Sequence, residues 1–299
     1  MGGDIAAVFA AGGWTAHVCE PAARVRGSLP RRAAAALASL RAAPSAARRI
    51  HSHVELAALP WAGIALVVEA VPEQLALKQR VFRDIEALAP RGAILTTNSS
   101  SLRLTEVAAK LRYKDRAAGM HWLTPAHMAP VVEVVRGRAT SARTIRTLNA
   151  WLADLGKLPV NLNRDVPGMI VNRVQHSMLR EAFHLVDSGI ATPEDIDRAV
   201  RYGFGFRYVA CGPIRQRDLN GLVIHHAAAA QIYPTLHGGK KPPRCLARLV
   251  ARGHVGSATG RGFYRWNPAT LARTLRDYDA RLGAALKLMA SSRPRRVRR

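Results

Sequence analysis

The sequence predicts an α/β domain, built on a doubly wound sheet with helices on both faces, followed by an all-helical domain. In the first half, short apolar runs bounded by turn residues, such as 64–71, alternate with stretches of helical spacing, such as 74–88. That alternation is typical of parallel strands joined by crossover helices, as in Rossmann-type sheets. Beyond Asp-Val-Pro-Gly at 165–168 the spacing is helical throughout. We therefore predict one domain over 1–165 and a second over 166–290.

Hydrophobic spacing and boundary residues place the individual elements. Strands are predicted at 15–19, 64–71, 93–97, 117–121 and 131–135, and helices of the first domain at 5–11, 24–49, 74–88 and 102–111. Helices of the second domain are predicted at 169–186, 214–232, 244–252 and 268–289. A further helix is expected to start at Thr192, because a threonine followed by proline and two acids is typical of a helix N-terminus.

The chain of 299 residues carries a formal net charge of +25. One interpretation is attraction to polyanions, either nucleic acid or phosphorylated cofactors. The other is compositional, because only seven of the 45 basic residues are lysine and the remaining 38 are arginines spread along the chain. A tail at 291–299 contains five of these arginines and is predicted to be solvated. No motif supports nucleic-acid binding, so we do not expect it.

Neither a membrane span nor a metal centre is predicted. No apolar run approaches the ~20 residues needed to cross a bilayer, and we expect a cytoplasmic protein. The three cysteines, Cys19, Cys211 and Cys245, are scattered without a C-x-x-C pair. Scattered cysteines favour free thiols in a reducing compartment over a metal site or disulfides.

The N-terminal residues suggest part of a dinucleotide site. Such a site needs a strand, a glycine-rich turn and a helix whose N-terminus faces the pyrophosphate. Met1-Gly2 directly precedes an apolar helical stretch, and the next predicted strand ends at Glu20. A carboxylate there can bind the ribose hydroxyls and repel the 2′-phosphate of NADP, which favours NAD. The alternatives are a helix without a ligand and a Glu20 that serves only a turn.

A histidine and a glutamate lie on consecutive predicted strands, with His121 at the end of one and Glu133 within the next. Oxidation of a secondary alcohol requires removal of the hydroxyl proton, and histidine is suited to that transfer near neutral pH. A carboxylate bonded to the second ring nitrogen fixes the tautomer and stabilises the imidazolium. We therefore predict that His121 is a general base and that Glu133 orients it.

Several motifs together resemble those of the L-3-hydroxyacyl-CoA dehydrogenase family. They are V-V-E-A-V-P-E at 67–73 with Lys78, N-S-S-S-L at 98–102, G-M-H-W-L-T-P at 119–125, V-V-E-V-V at 131–135 and D-V-P-G-M-I-V-N-R at 165–173. Met1 and Gly2 match the end of the family's G-x-G-x-x-G fingerprint. The resemblance covers residues 1 to about 266, which is most of the chain.

The resemblance extends the candidate site beyond the His121–Glu133 pair. It implies substrate-binding roles for Ser100 and Asn172 and cofactor-binding roles for Gly2, Glu20, Glu73, Lys78 and Asn98. It also implies a homodimer formed through the helical domain, and a first strand with two glycines ahead of Met1. Thr124 stands where the family usually has asparagine, which puts the substrate range in doubt.

The expected function is NAD-dependent oxidation of a 3-hydroxyacyl-CoA to the 3-oxoacyl-CoA, in fatty-acid or related acyl-CoA metabolism. Two alternatives stay open. One is a dehydrogenase of a smaller 3-hydroxy acid, such as carnitine or a sugar acid, and the other is a degenerate relative without catalytic activity.

Overall fold

The computed structural model describes residues 1–291, and the predicted basic tail lies outside them apart from the backbone of Ser291. The chain divides into two compact units between Val174 and Gln175. This division falls a few residues beyond the boundary suggested by the sequence. None of the helices described is both long enough and apolar enough to span a membrane.

The strands of the first unit form two sheets. Their bounds are Ala16–Cys19 (β1), Ile50–His53 (β2), Leu66–Glu69 (β3), Ile94–Thr97 (β4), Ala117–Trp122 (β5), Val131–Val135 (β6) and Leu158–Leu162 (β7). One sheet is the parallel pair β1–β2, and the other has the order β3-β4-β5-β6-β7. All neighbours in the larger sheet are parallel except β5 and β6. The expectation of a wholly parallel sheet is therefore wrong at this pair, because residues 123–130 turn the chain back without a crossover helix.

Helices cover both faces of the larger sheet. In the first unit they are Gly2–Ala11 (α1), Ala23–Ser39 (α2), Leu75–Leu88 (α3), Leu104–Val107 (α4) and Ala142–Asp154 (α5). On β4, Ile94 packs in a cluster with α1 and α5, whereas Leu95 packs in a cluster with α3 and α4. Successive strand residues point to opposite faces, so the two clusters are the two layers of a doubly wound fold. The predicted fold class is confirmed.

Some elements differ from the sequence-based expectation. The helix predicted at 24–49 ends at Ser39 and is followed by a short 3-10 helix, Pro44–Arg49. The helix predicted at 102–111 is reduced to the single turn α4. The elements β2, α5 and β7 were not predicted. The strand β2 reads Ile-His-Ser-His and β7 contains Pro159 and Asn161, so neither shows the apolar run used to find strands.

The two sheets are not hydrogen-bonded to each other among the residues described, so β1 and β3 each have one unpaired edge. All four residues of β1 are only partly buried, whereas all four of β4 are buried. Strands paired on both sides and covered by helices on both faces are normally buried throughout.

The second unit is helical, as predicted. Its helices are Val171–Asp187 (α6, which starts in the first unit), Pro193–Arg198 (α7), Pro213–Asn220 (α8), Leu222–Ile232 (α9), Arg244–Ala251 (α10) and Pro268–Ser291 (α11). The hydroxyl of Thr192 accepts a hydrogen bond from the amide of Asp195 and caps α7, as the sequence indicated. The single helix predicted at 214–232 is two helices, because Gly221 adopts a left-handed φ of +93° between them.

Candidate active site

The centre of the candidate site is a histidine–glutamate pair on β5 and β6. His121 and Glu133 are directly opposite in the antiparallel register, so their side chains project from the same face. Nδ1 of His121 lies 2.8 Å from Oε2 of Glu133, and the side chains are 5% and 0% exposed. Because an ionised carboxylate only accepts hydrogen bonds, Nδ1 carries the proton and Nε2 retains its lone pair.

The second oxygen of Glu133 holds the chain where α6 begins. Oε1 accepts hydrogen bonds from the amides of Ile170 at 2.8 Å and Val171 at 3.0 Å. A turn presents these two amides, and in it Gly168 and Met169 have left-handed φ values of +77° and +49°. That conformation suits glycine but is strained for methionine. Sequence reasoning missed this contact, because a methionine gives no sign of a left-handed backbone.

Both sets of contacts keep Glu133 charged. Burial raises the pKa of the Glu133 carboxyl, but hydrogen bonds from His121, Val171 and Ile170 outweigh it, so the pKa lies below its ordinary value. An ionised Glu133 stabilises a protonated imidazole and fixes its orientation. The pair can therefore take a proton from a bound hydroxyl group onto Nε2 of His121.

A second carboxylate, Glu73, holds the turn that follows β4, residues 99–102. Oε1 of Glu73 accepts hydrogen bonds from the hydroxyls of Ser99 at 2.5 Å and Ser101 at 2.9 Å. It also accepts from the amides of residues 100, 101 and 102, at 3.1, 2.8 and 3.2 Å. Burial raises the pKa of Glu73, but the hydrogen bonds from Ser99 and Ser101 and the charge of Lys78 lower it to about 2. We call residues 99–102 the serine turn.

A buried ion pair lies behind Glu73. Nζ of Lys78 is 2.9 Å from Oε1 of Glu69, and the two side chains are 1% and 0% exposed. Nζ also donates to the carbonyl of Val71 at 3.0 Å and lies 3.3 Å from Oε2 of Glu73. Lys78 is therefore an interior residue, and its expected contact with a cofactor stays a prediction.

The remaining residues of the predicted site lie on three different elements. Oδ1 of Asn98 accepts a hydrogen bond from the amide of Trp122 at 2.8 Å, which ties the end of β4 to β5 beside His121. Ser100 is exposed within the serine turn. Asn172 is half-buried in the first turn of α6, directly after the two amides that Glu133 holds. Hydrogen bonds thus hold the backbone beside each of the three residues in place.

The N-terminal helix fits a phosphate-bearing cofactor. The first turn of α1 has no side-chain cap, and the space beside Gly2 is open for 4 Å around the position of an added Cβ. Asp4, an acid in that turn, is paired with Arg32 at 3.2 Å, so its charge is offset. Uncapped amides and an offset acid are compatible with pyrophosphate at a helix N-terminus. Glu20, after β1, accepts a hydrogen bond from the amide of Ala22 at 2.9 Å with Oε1.

Other features of the described residues do not point to a site. No group of three or more histidines, cysteines and acids in residues 1–291 is arranged to hold a metal ion, and the three cysteines are free thiols. A cavity of about 500 Å³ lies in the second unit, lined by Arg261, Tyr264, Arg265 and Trp266 among others. It contains none of the predicted site residues, and we place the chemistry at the buried His121–Glu133 pair instead.

The doubly wound sheet, the open N-terminus of α1 and the buried histidine–carboxylate pair define a nicotinamide-dependent dehydrogenase as the class of protein. Comparison with family models agrees. The model of the 3-hydroxyacyl-CoA dehydrogenase NAD binding domain matches residues 1–166, and that of the 3-hydroxyacyl-CoA dehydrogenase C-terminal domain matches residues 168–266. The chain belongs to the 3-hydroxyacyl-CoA dehydrogenase family, it is an NAD-dependent dehydrogenase, and the resemblance drawn from its motifs is confirmed.

Individual relatives differ in the substrates that their names state. A 5-formyl-3-hydroxy-2-methylpyridine 4-carboxylate 5-dehydrogenase of Mesorhizobium japonicum is 32% identical over 69% of this chain and 67% of its own length. A probable 3-hydroxybutyryl-CoA dehydrogenase of Bacillus subtilis is 35% identical over 69% of this chain and 70% of its own length. The crystal structure of the pyridine carboxylate dehydrogenase, described as an NAD⁺-dependent dismutase, matches 98% of this chain and 94% of its own, with 30% identity and a TM-score of 0.85.

Proposed function

We propose that this protein oxidises the hydroxyl group of a 3-hydroxyacyl-CoA to the 3-oxo group, with NAD as the hydride acceptor. The observation that carries the proposal is the buried His121–Glu133 pair, whose Nε2 is free to accept the hydroxyl proton. In the reaction His121 is the general base, and Glu133 orients the imidazole and stabilises its protonated form. Bound NAD supplies the acceptor for the hydride that leaves the same carbon.

The other predicted residues have binding roles in this proposal. Ser100 and Asn172 bind the reacting oxygen of the substrate. Gly2 admits the pyrophosphate at the start of α1, Glu20 binds the adenosine ribose, and the cofactor's nicotinamide end lies near Glu73, Lys78 and Asn98. Because Lys78 is 1% exposed, we expect its influence on the cofactor to pass through Glu73.

A second candidate substrate is a hydroxylated or formylated pyridine carboxylate without coenzyme A. It is favoured by the match to the pyridine carboxylate dehydrogenase over 98% of this chain at a TM-score of 0.85. Thr124, with a shorter side chain than the asparagine usual in the family, is a second reason to test substrates without coenzyme A. Carnitine and sugar acids belong to the same group of tests.

The experiment compares three substrates at matched concentrations: 3-hydroxybutyryl-CoA, carnitine and the formyl-hydroxy-methylpyridine carboxylate. NADH formation is followed by absorbance, and products are also measured by chromatography, because dismutation of an aldehyde leaves no net NADH. We expect the highest kcat/KM with the coenzyme A ester, and a loss of ~10²–10⁴-fold with His121→Ala. A higher kcat/KM with either other substrate would contradict the proposed substrate class. NAD binding without turnover of any of the three would favour a non-catalytic relative.

We also propose that the protein is a homodimer formed through the second unit. Within residues 175–290 only Cys245 is buried, although this unit contains many large apolar side chains. Three of them on α8 and α9, Leu219, Val223 and Ile224, are 74%, 84% and 69% exposed. A helix that is apolar on all sides, as α9 is, is normally covered in the native assembly.

We expect a second copy of the chain to cover this apolar surface, because most oligomers are symmetric dimers in which the same patch contacts itself. Light scattering should give twice the 32.5 kDa chain mass. Val223→Asp should yield monomers, whereas the matched control Val25→Asp, at a 47% exposed position of the first unit, should stay dimeric. Monomeric wild-type protein at micromolar concentration would contradict the dimer. The cytoplasmic location stays a prediction.

A further inference from the structure

We propose that Glu69 is a positioning residue of the active site, which fixes Lys78 and, through Lys78 and Glu73, the serine turn. The catalytic role given to that turn rests on the dehydrogenase function proposed above. Its first evidence is the complete burial of Glu69, the last residue of β3, which is 2% exposed. A carboxylate so placed does not contact a substrate or a cofactor.

Every contact of the Glu69 carboxylate is internal. Oε1 accepts hydrogen bonds from the amide of Val71 at 2.7 Å and from Nζ of Lys78 at 2.9 Å. Oε2 accepts from the hydroxyl of Thr97 at 2.7 Å. These three donors come from the connection after β3, from α3 and from the end of β4. Glu69 therefore ties together three elements at the carboxyl edge of the sheet, where ligands bind in folds of this kind.

Lys78 connects the buried Glu69 to Glu73. Its ammonium group has three N–H donors, and it faces three acceptors: Oε1 of Glu69, the carbonyl of Val71 and Oε2 of Glu73. Two of these contacts are hydrogen bonds, to Glu69 and Val71, and the third is an ion pair with Glu73. The geometry of Lys78 is that of a link between the buried Glu69 and the half-exposed Glu73.

Glu73 completes the chain at the surface, because its other oxygen holds the serine turn. The turn begins two residues after Thr97, the residue whose hydroxyl Glu69 holds. The contacts thus form a closed loop that leaves β4, passes through Glu69, Lys78 and Glu73, and returns to β4. A closed loop of hydrogen bonds and one ion pair fixes the turn more tightly than Glu73 alone would.

Glu69→Gln tests the loop, because it keeps the shape and removes the charge. Lys78 is then left with Glu73 as its only anionic partner and draws that carboxylate away from the turn. We expect the amides of residues 100–102 to exchange with deuterium about tenfold faster, measured by mass spectrometry of peptides. Amides 170 and 171, which Glu133 holds, should exchange as in the wild type. We also expect kcat/KM to fall about 3- to 10-fold, because the turn is misplaced as it would be on loss of the Glu73 charge.

The Glu69→Leu/Lys78→Met double variant removes both charges and leaves no unpaired buried ion, so it should fold even if Glu69→Gln does not. Its residues 100–102 should still exchange faster than in the wild type. Asp115→Asn is the matched control, because it breaks an exposed pair with Arg91 in which both side chains are over 50% exposed. It should leave exchange and kcat/KM within about twofold, as is usual for surface pairs.

The exchange measurement separates this proposal from the proposed function, since it needs no substrate. Unchanged exchange at residues 100–102 in both Glu69 variants would overturn the positioning role. Equal acceleration at 100–102 and at 170–171 would also overturn it, because Glu69 would then stabilise the unit as a whole. Faster exchange at 100–102 alone, even if no tested substrate turns over, would support it.

Discussion

Glu133 and Glu73 are two carboxylates that gather hydrogen bonds from a neighbouring turn, but their surroundings differ. Glu133 is fully buried and shares its oxygens between the imidazole of His121 and two backbone amides. Glu73 is 37% exposed and gives one oxygen to hydroxyls and amides alone. Only Glu133 contacts the imidazole that takes the substrate proton in the proposed mechanism. Changes at Glu133 should therefore alter pH behaviour, whereas changes at Glu73 should alter geometry.

The largest expected effect comes from His121→Ala, which removes the proton acceptor and leaves both carboxylates in place. Removal of a general base typically costs ~10²–10⁴-fold in rate. NAD affinity should stay nearly intact, because no predicted cofactor contact is lost. Steady-state kinetics measure the loss of rate, and calorimetric titration measures the affinity for NAD. The matched control is His127→Ala on the adjoining loop, which should turn over normally. A rate for His121→Ala within a few-fold of wild type would mean that the base lies elsewhere.

Glu133→Gln should have the next largest effect and should separate the two carboxylates most clearly. Glutamine has one acceptor oxygen where Glu133 uses two, so it cannot accept from both the imidazole N–H and the two amides, and it lacks the charge that stabilises the imidazolium. We expect a rate loss of about 10- to 100-fold, smaller than for loss of the base itself. The pH at which turnover is half-maximal should move to a lower value, since protonation of the imidazole becomes less favourable. An unchanged rate and pH profile would make Glu133 a structural strand residue.

Glu73→Gln should reduce activity without moving the pH profile. A glutamine oxygen can accept some of the donors from the serine turn, but without a charge each hydrogen bond is weaker. We expect kcat/KM to fall about 3- to 10-fold through misplacement of the turn. A shift in the pH profile similar to that of Glu133→Gln would remove the distinction between the two carboxylates.

The contrast also shows what sequence alone could supply. The pairing of His121 with Glu133 was predictable, because two strands joined by one short connection bring residues on the same face together. The contact of Glu133 with Ile170 and Val171 was not predictable, since it depends on the left-handed φ of Met169. The burial of Lys78 was also not predictable. A lysine near the start of an amphipathic helix gives no sequence sign of being 1% exposed.

The smallest effect concerns acid stability, where both carboxylates contribute. The pKa of Glu73 is lowered from 4.5 to about 2 in the folded protein. A carboxyl with a lowered folded pKa stabilises the fold above its unfolded pKa, and this contribution is lost as pH falls from 4.5 toward 2. Glu73→Gln removes a titrating group, so the free energy of unfolding should depend less on pH in this window.

The pKa of Glu133 is also lowered, and Glu133→Gln should likewise make the free energy of unfolding depend less on pH in the acid range. Because Glu73 is 37% exposed, solvent screens its interactions, so the effect of Glu73→Gln should be small. Urea unfolding at pH 7, 4.5 and 3 measures both variants against the wild type. If Glu73→Gln parallels the wild type at all three values, the hydrogen bonds to Glu73 contribute no net stability, and the serine turn is held by its own backbone.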